Sequence, residues 1–328
     1  MPEHISEYTP DLEEEAQRPK LRLSHWLEEF MAGDGHIHTI SSETAGEKQD
    51  ALYSFEQVFD YVKKEVIGRG KRMEFVIFAE HPSDAGNPSL VDGQKLLEHQ
   101  QVVHKFIKNH EEEGGEFPRL ISGVEADIIS ADGDLDVPDE VLSKMDIVIA
   151  SKHDLKRVFP DQGGNPDAEQ LTHMYLALMD NPHVDVIGHP NRYVSYEMLE
   201  EMDWSAIFSK AKETKTALEI NFKAPMTPEL IIRMVKAGVP IFIGTDAHSL
   251  EEYQRLPEDA KIEIEEDRLD YPLGVKFSFW RRKVFPVLQA LHAADAPPEQ
   301  IITSSYKRLH EWLSKEKLER KIEFENGT

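Results

Sequence analysis

Short apolar runs recur along most of the chain, at residues 36–38, 75–79, 120–124, 146–150, 184–188, 217–220 and 240–244. Each is only a few residues long, often β-branched, and bounded by turn or polar residues. Strands of a parallel sheet, covered on both faces, have this look. Between the runs, apolar residues return at helical spacing: Phe55, Val58, Phe59 and Val62; Leu96, Leu97, Val103 and Ile107; Leu230, Ile231, Met234 and Val235. The last stripe follows a capping sequence, Thr227-Pro228-Glu229. Strands alternating with helices predict βαβ units with right-handed crossovers, and seven such strands point to a closed or nearly closed α/β barrel.

The flanks depart from this rhythm. Residues 1–20 are polar and acidic, with Pro2, Pro10 and Pro19, and read as a lead-in. Residues 21–31 fit a short amphipathic helix with Leu23, Trp26, Leu27 and Phe30 on one face. We therefore expect a lead-in over 1–32 and a single barrel domain over 33–328. Within that domain, residues 250–285 are acidic through Asp267 and Asp270, then basic and aromatic from Lys276 to Lys283, and read as an inserted loop or lid. A C-terminal helix (296–315, centred on 299–313) is expected to pack on the outside of the barrel.

Composition narrows the chemistry. A chain of 328 residues with 40% hydrophobic positions can bury a sizeable core, and its formal net charge is −25. That charge repels nucleic-acid backbones, which argues against nucleic acid as a partner. It also repels a phosphorylated small molecule, so a phosphate site needs local cations, which bound metal ions would supply. There is no cysteine, so His, Asp and Glu are the strong ligands available. No segment holds eighteen consecutive apolar residues, and the first ten residues lack the pattern of a secretory signal, so the expectation is a soluble cytoplasmic protein without a membrane partner.

The histidines fall at the ends of the predicted strands. His36 and His38 end the first, His81 the second, His153 the fourth and His189 the fifth, while Asp246 and His248 end the seventh and Glu125 ends the third. In a parallel barrel all C-terminal strand ends meet at one rim. Residues at i and i+2 share a side, so His36 with His38, and Asp246 with His248, can grip one ion together. A lone HxH or His-Pro is more often structural; placement at successive strand ends is what points to a site. Six histidines exceed the needs of one open catalytic ion, so two or three divalent ions (zinc, manganese or iron) are expected. His99, His104, His110, His173, His292 and His310 fall in helical patterns and are read as surface residues, as are His4 and His25 ahead of the barrel.

These residues, in this order, resemble the PHP (polymerase and histidinol phosphatase) family. The motifs are Asp34-Gly35-His36-Ile37-His38-Thr39, Glu80-His81, Gly123-Val124-Glu125, Ser151-Lys152-His153, Gly188-His189-Pro190 and Asp246-Ala247-His248, with Asp132 to Pro138 and Glu219-Ile220-Asn221 also familial. The resemblance runs from about residue 33 to 249. It implies a distorted TIM-like (β/α)7 barrel with a trinuclear metal site. His36, His38, Glu125 and Asp246 would hold one ion, with Glu125 bridging to a second completed by His153 and His189. His81 and His248 would hold a third, with Glu43 as an oxygen donor where the family often carries another ligand after the first motif.

The implied activity is phosphoester hydrolysis by a metal-activated hydroxide on a small phosphorylated substrate, with Asp246, His248 and Arg192 acting on it directly. Arg192, three residues past His189, either binds the phosphate or pairs with a carboxylate; Lys152 and Lys223 are further candidates, and Asp34 is expected to orient a ligand histidine. The aromatic-basic stretch 276–283 is either a stacking platform or a packed helix. Two other readings stand beside this one. An amidohydrolase-like enzyme acting on a C–N or C–O bond would prefer a bridging lysine where Glu125 stands, and a non-catalytic metal-binding barrel would have eroded ligands.

Overall fold

A computed structural model describes residues 30–39, 53–69, 72–82, 93–248 and 283–317, together with 51, 319 and 322. Seven strands follow one another in chain order around one sheet: β1 (Asp34–Ile37), β2 (Phe75–Glu80), β3 (Arg119–Asp127), β4 (Ile147–Ser151), β5 (Val186–Ile187), β6 (Ala217–Asn221) and β7 (Ile241–Gly244). Every neighbouring pair is parallel. The sheet closes on itself just past β7, where the Asp246 N–H donates to the His36 carbonyl at 2.7 Å and the His38 N–H to the Ala247 carbonyl at 2.9 Å. The apolar runs thus become the strands of a distorted TIM-like barrel.

Helices cover the outside: α1 (Phe55–Tyr61), α2 (Gln94–Glu113), α3 (Ala168–Leu178), α4 (Trp204–Thr214), α5 (Pro228–Ala237) and, after β7, α6 (Phe285–Ala293). Their starts are written locally. Ser54 and Gln57 form a reciprocal capping box at α1, and Thr227 caps α5 with Pro228 in the first turn. The stripe Leu230, Ile231, Met234 and Val235 is buried, as its spacing predicts.

The strands alternate between two cores. Phe75, Ile77, Ala79, Ile121, Ile147, Ile149, Val186, Ala217 and Phe242 fill the barrel interior. Their sequence neighbours Val76, Phe78, Ala150, Ile187, Leu218, Ile220, Ile241 and Ile243 lie under the helices. Because both faces are apolar, the period of two is invisible in these runs until the ligands begin.

The C-terminal region departs from expectation. Its helix starts later than expected: short turns at Pro298–Gln300 and Ile302–Ser304 precede α7 (Tyr306–Glu311), which continues as a wider helical turn at Trp312–Glu316. Its backbone is engaged by the sheet. Ile301 bridges Ile241, the Thr303 carbonyl accepts from the Ala32 N–H, and the Thr303 hydroxyl accepts from the Ile243 N–H. Ile302, Leu309 and Trp312 join the interior cluster, so this segment stoppers the N-terminal mouth of the barrel. The lead-in, most of the 21–31 helix, Glu43 and residues 250–282 of the expected insertion lie outside the described residues. Among the described residues no helix is long and apolar enough to cross a membrane.

A buried ion pair fastens the stopper. Lys317 Nζ lies 2.8 Å from Asp185 Oδ2 and also donates to the Met145 and Asp146 carbonyls. Removing one partner strands the other charge in the interior. Lys317→Ala is therefore expected to cost roughly 3–5 kcal/mol of stability in urea denaturation; a change within about 0.5 kcal/mol, the range of ordinary surface substitutions, would refute the role.

Candidate metal centre

Along each strand the inward positions turn polar toward the C-terminal end. In β1 the series Ala32, Asp34, His36, His38 is followed inward; in β2 it is Phe75, Ile77, Ala79, His81; in β3 Ile121, Gly123, Glu125, Asp127; in β4 Ile147, Ile149, Ser151, His153; and in β7 Phe242, Gly244, Asp246, His248. His189 is the exception. It follows Val186 and Gly188 out of step, and its backbone is left-handed, with φ 25°. That conformation turns the imidazole into the barrel, where it is fully buried. Asp246 is left-handed too, with φ 56°. Such backbones cost about 1–3 kcal/mol each and persist where the surroundings enforce them.

The side chains meet at Glu125, which is buried. Its Oε2 lies 3.3 Å from His36 Nε2, 3.4 Å from His38 Nε2 and 3.3 Å from His81 Nε2. Its Oε1 lies 2.8 Å from His189 Nε2 and 3.5 Å from His153 Nε2. The two oxygens therefore divide the histidines into two sets. His38 Nε2 is 3.4 Å from Asp246 Oδ1, and its ring lies 4.5 Å from that of His81 and 4.3 Å from that of His248. Four groups bring donor atoms within 4.8 Å of one another: His36, His38 and Glu125; Glu125, His153 and His189; His38, His81 and His248; and His81, Asp127 and His153. All eight described candidates are brought together, while Glu43 lies outside the described residues.

The donor set fits divalent cations. It is all nitrogen and oxygen, and the lone pairs are aimed. His36 Nδ1 sits 2.8 Å from Glu219 Oε1 and His153 Nδ1 sits 2.6 Å from Asp127 Oδ1, which would leave each Nε2 as the atom for a metal. The Nε2 atoms of His36 and His38 approach to 3.1 Å, a convergence suited to a shared ion. His189 Nδ1 is buried without a hydrogen-bond partner. Space is also exact at Gly244: a Cβ there would stand 2.5 Å from the His36 Cβ and 2.7 Å from Glu219 Oε1.

The electrostatics show the strain of so many donors in one place. Burial works against protonating His36, yet Glu219 and Glu125 overcome it and hold the imidazole well above its ordinary range. His38 is likewise buried, and hydrogen bonds to Asp246 and Glu125 raise it to about 9. Burial alone dominates at His81, which falls to about 3, and it also lowers His189. Burial would raise Glu125, but His36, His153 and His81 hold it well below the usual carboxylate range. Without metal, protons play the cation's part.

Several expectations need correction. The Asp34 carboxylate accepts from the His36 and Thr245 N–H groups and the Thr245 hydroxyl, so it holds the backbone of a candidate ligand histidine and ties β1 to the end of β7. Glu219 and Asp127 orient the rings. Asp127 was legible, since it stands two residues after Glu125 as His38 stands after His36. Lys152 is buried and donates to the Pro190 and Arg192 carbonyls. No lysine among the described residues therefore takes the bridging position that an amidohydrolase would prefer. Arg192 reaches a carboxylate, but a buried one of the site, at 2.9 Å from Asp246 Oδ2. Lys223 Nζ lies 3.8 Å from Asp246 Oδ1 and 2.6 Å from His248 Nδ1. His99 is half-buried: its Nε2 is buried and unpartnered, and it lines an open pocket of about 240 Å³ with Glu80, His81, Pro82, Lys95, Leu96 and Glu98.

Two outcomes follow from this geometry. Glu219→Gln loses the carboxylate behind His36 and is expected to weaken metal binding about 10–100-fold in a chelator competition; unchanged affinity would refute its role. For His38, a raised pKa means that its contribution to metal-free stability is complete below about 6.5 and is lost as pH rises through about 9. Ligation needs the neutral ring, so metal binding should release protons and tighten as pH rises. Calorimetry in two buffers of different protonation enthalpy reads that release, and affinity that does not change with pH would contradict it.

No protein-family model matches the chain. The DNA polymerase/3'-5' exonuclease PolX of Bacillus subtilis is 36% identical over 137 residues, covering 40% of this chain, which thus spans only 22% of that relative's length. A probable phosphatase of Acetivibrio thermocellus is 27% identical over 292 residues, 87% of this chain and 95% of its own. Among solved structures, the histidinol phosphate phosphatase of Lactococcus lactis, complexed with zinc, L-histidinol and phosphate, covers 66% of this chain and 86% of its own at 18% identity and a TM-score of 0.44, too loose a likeness to carry weight. The ordered motifs, the seven-stranded parallel barrel and relatives named as a polymerase and as phosphatases together support a PHP-family phosphoesterase.

Proposed function

We propose that the chain is a metal-dependent phosphoesterase acting on a small phosphomonoester or phosphodiester. The observation that carries this reading is the division of histidines between the two oxygens of Glu125, the arrangement of a carboxylate bridging two cations. In this reading His36, His38, Glu125 and Asp246 hold one ion, and Glu125, His153 and His189 a second. His81 and His248 would hold a third, for which the family resemblance offers Glu43 as an oxygen donor. The nitrogen and oxygen donors suit zinc, manganese or iron.

When bound, such ions acidify water near neutral pH and neutralise charge on the phosphoryl oxygens. The chain's own residues do the rest. Arg192, 28% exposed along its side chain, stands on the lip of the site, where its planar guanidinium can take two phosphate oxygens. Lys223, 25% exposed, adds a second cation beside it. Asp246 and His248 occupy the same lip and would face the reacting group directly, Asp246 linking the ligand His38 to Arg192. These local cations answer the repulsion that a chain of net charge −25 exerts on a phosphate. The same charge favours a small ester over a polymer.

A screen of phosphorylated metabolites with manganese, zinc and iron, beside lactam and amide panels, tests the reading. Phosphate release that chelation removes, that added metal restores and that His36→Ala abolishes is expected. Hydrolysis confined to the amide or lactam panel would overturn it. Arg192→Ala should lower kcat/KM by about 10–100-fold, the worth of hydrogen bonds to a charged group; unaltered kinetics would remove Arg192 from the substrate site.

A further inference from the structure

The turn after β5, residues 189–193, is held from below by buried groups. Lys152 is 1% exposed. Its ammonium donates to the Pro190 carbonyl at 2.9 Å and to the Arg192 carbonyl, and lies 5.8 Å from the centre of the Tyr175 ring. The Tyr175 hydroxyl donates to the same Pro190 carbonyl at 2.8 Å. The acceptors of this buried cation are thus carbonyls of a surface turn, an arrangement that holds the turn in place.

On top of the turn stands Tyr193. Its side chain is 52% exposed and its backbone is left-handed, with φ 63°. Glycine or asparagine takes that conformation with less strain than tyrosine. A half-exposed ring has little packing to gain in return. Its ring neighbours are both residues of the site: the Arg192 guanidinium carbon is 4.9 Å from the ring centre, and the His153 ring is edge-on at 6.3 Å. The ring thus stands on a turn whose carbonyls are held from below, half-exposed, and one residue from the group read above as the phosphate clamp.

We propose that Tyr193 is a stacking subsite for a planar, π-rich ring in the organic part of the phosphoester. The subsite rests on the phosphoesterase reading for what Arg192 and the ions hold. Aromatic faces accept any flat π-system within about 4.5–7 Å, so the subsite selects aryl-bearing over alkyl esters without hydrogen-bond readout. The competing role is that Tyr193 merely backs Arg192 from one side. In that case losing the ring weakens aryl and alkyl ligands alike.

Phenylphosphonate and methylphosphonate carry the same head group and are not hydrolysed, so their binding is read apart from turnover. Each is titrated by calorimetry into the manganese-loaded full chain. Wild type is expected to bind phenylphosphonate about five- to tenfold more tightly than methylphosphonate. Tyr193→Phe should keep that ratio and Tyr193→Asn should bring it near one, with a thermal midpoint no lower than wild type because asparagine tolerates the left-handed backbone. Equal affinities in wild type, an aryl preference that survives in Tyr193→Asn, or a preference lost in Tyr193→Phe would each overturn the subsite. A wild-type protein that shows the ratio but hydrolyses no phosphoester would sink the phosphoesterase reading and leave the subsite standing.

Discussion

A carboxylate buried among imidazoles is the constraint on which the rest of this molecule turns. Glu125 is 1% exposed, and five histidines lie within 3.5 Å of it. Taking an ionised carboxylate out of water is costly unless positive charge comes with it. In the metal-free protein that charge is carried by protons, which is why His36 and His38 are raised while Glu125 and Asp246 are held low. Divalent ions would satisfy the same demand more completely, because one ion answers several donors at once.

Such a cluster needs a closed barrel beneath it. The interior below Glu125 is packed with Phe75, Ile77, Ile121, Ile147, Ile149 and Phe242, and the C-terminal segment seals the far end with Ile302, Leu309 and Trp312. Chemistry is confined to one mouth because the other is stoppered. Departures from regular backbone gather at that mouth as well: His189 and Asp246 adopt left-handed conformations that a free strand would not choose. Glu219, Asp127 and the Lys152–Tyr175 clamp hold the surrounding groups in place.

Much of this was legible in the chain. The seven strands, the helix stripes and the capped starts of α1 and α5 are local matters, set by side-chain periodicity and by hydrogen bonds spanning three or four residues. The convergence of the candidate ligands followed from the topology, since a parallel barrel gathers its C-terminal strand ends whatever their separation in sequence. Even Asp127 stood two residues from a recognised ligand. What was missed depends on distant partners. Asp34 was expected to orient a histidine and also ties two strands, and Lys152 is turned to the Pro190 and Arg192 carbonyls across the β4–β5 gap. The C-terminal region reads as a continuous helix on its own pattern, yet Ile301 and Thr303 give their backbone to β1 and β7.

The sequence by itself determined the strands and the kinds of donors available, because apolar periodicity and the absence of thiolates need no knowledge of neighbours. Only the tertiary structure decided which donors converge, which carboxylate stands behind which imidazole, and which cations stand on the lip of the site. Those are distances between strands, and they are set by barrel closure and by backbone turns such as that at His189, for which the local sequence carries no signal.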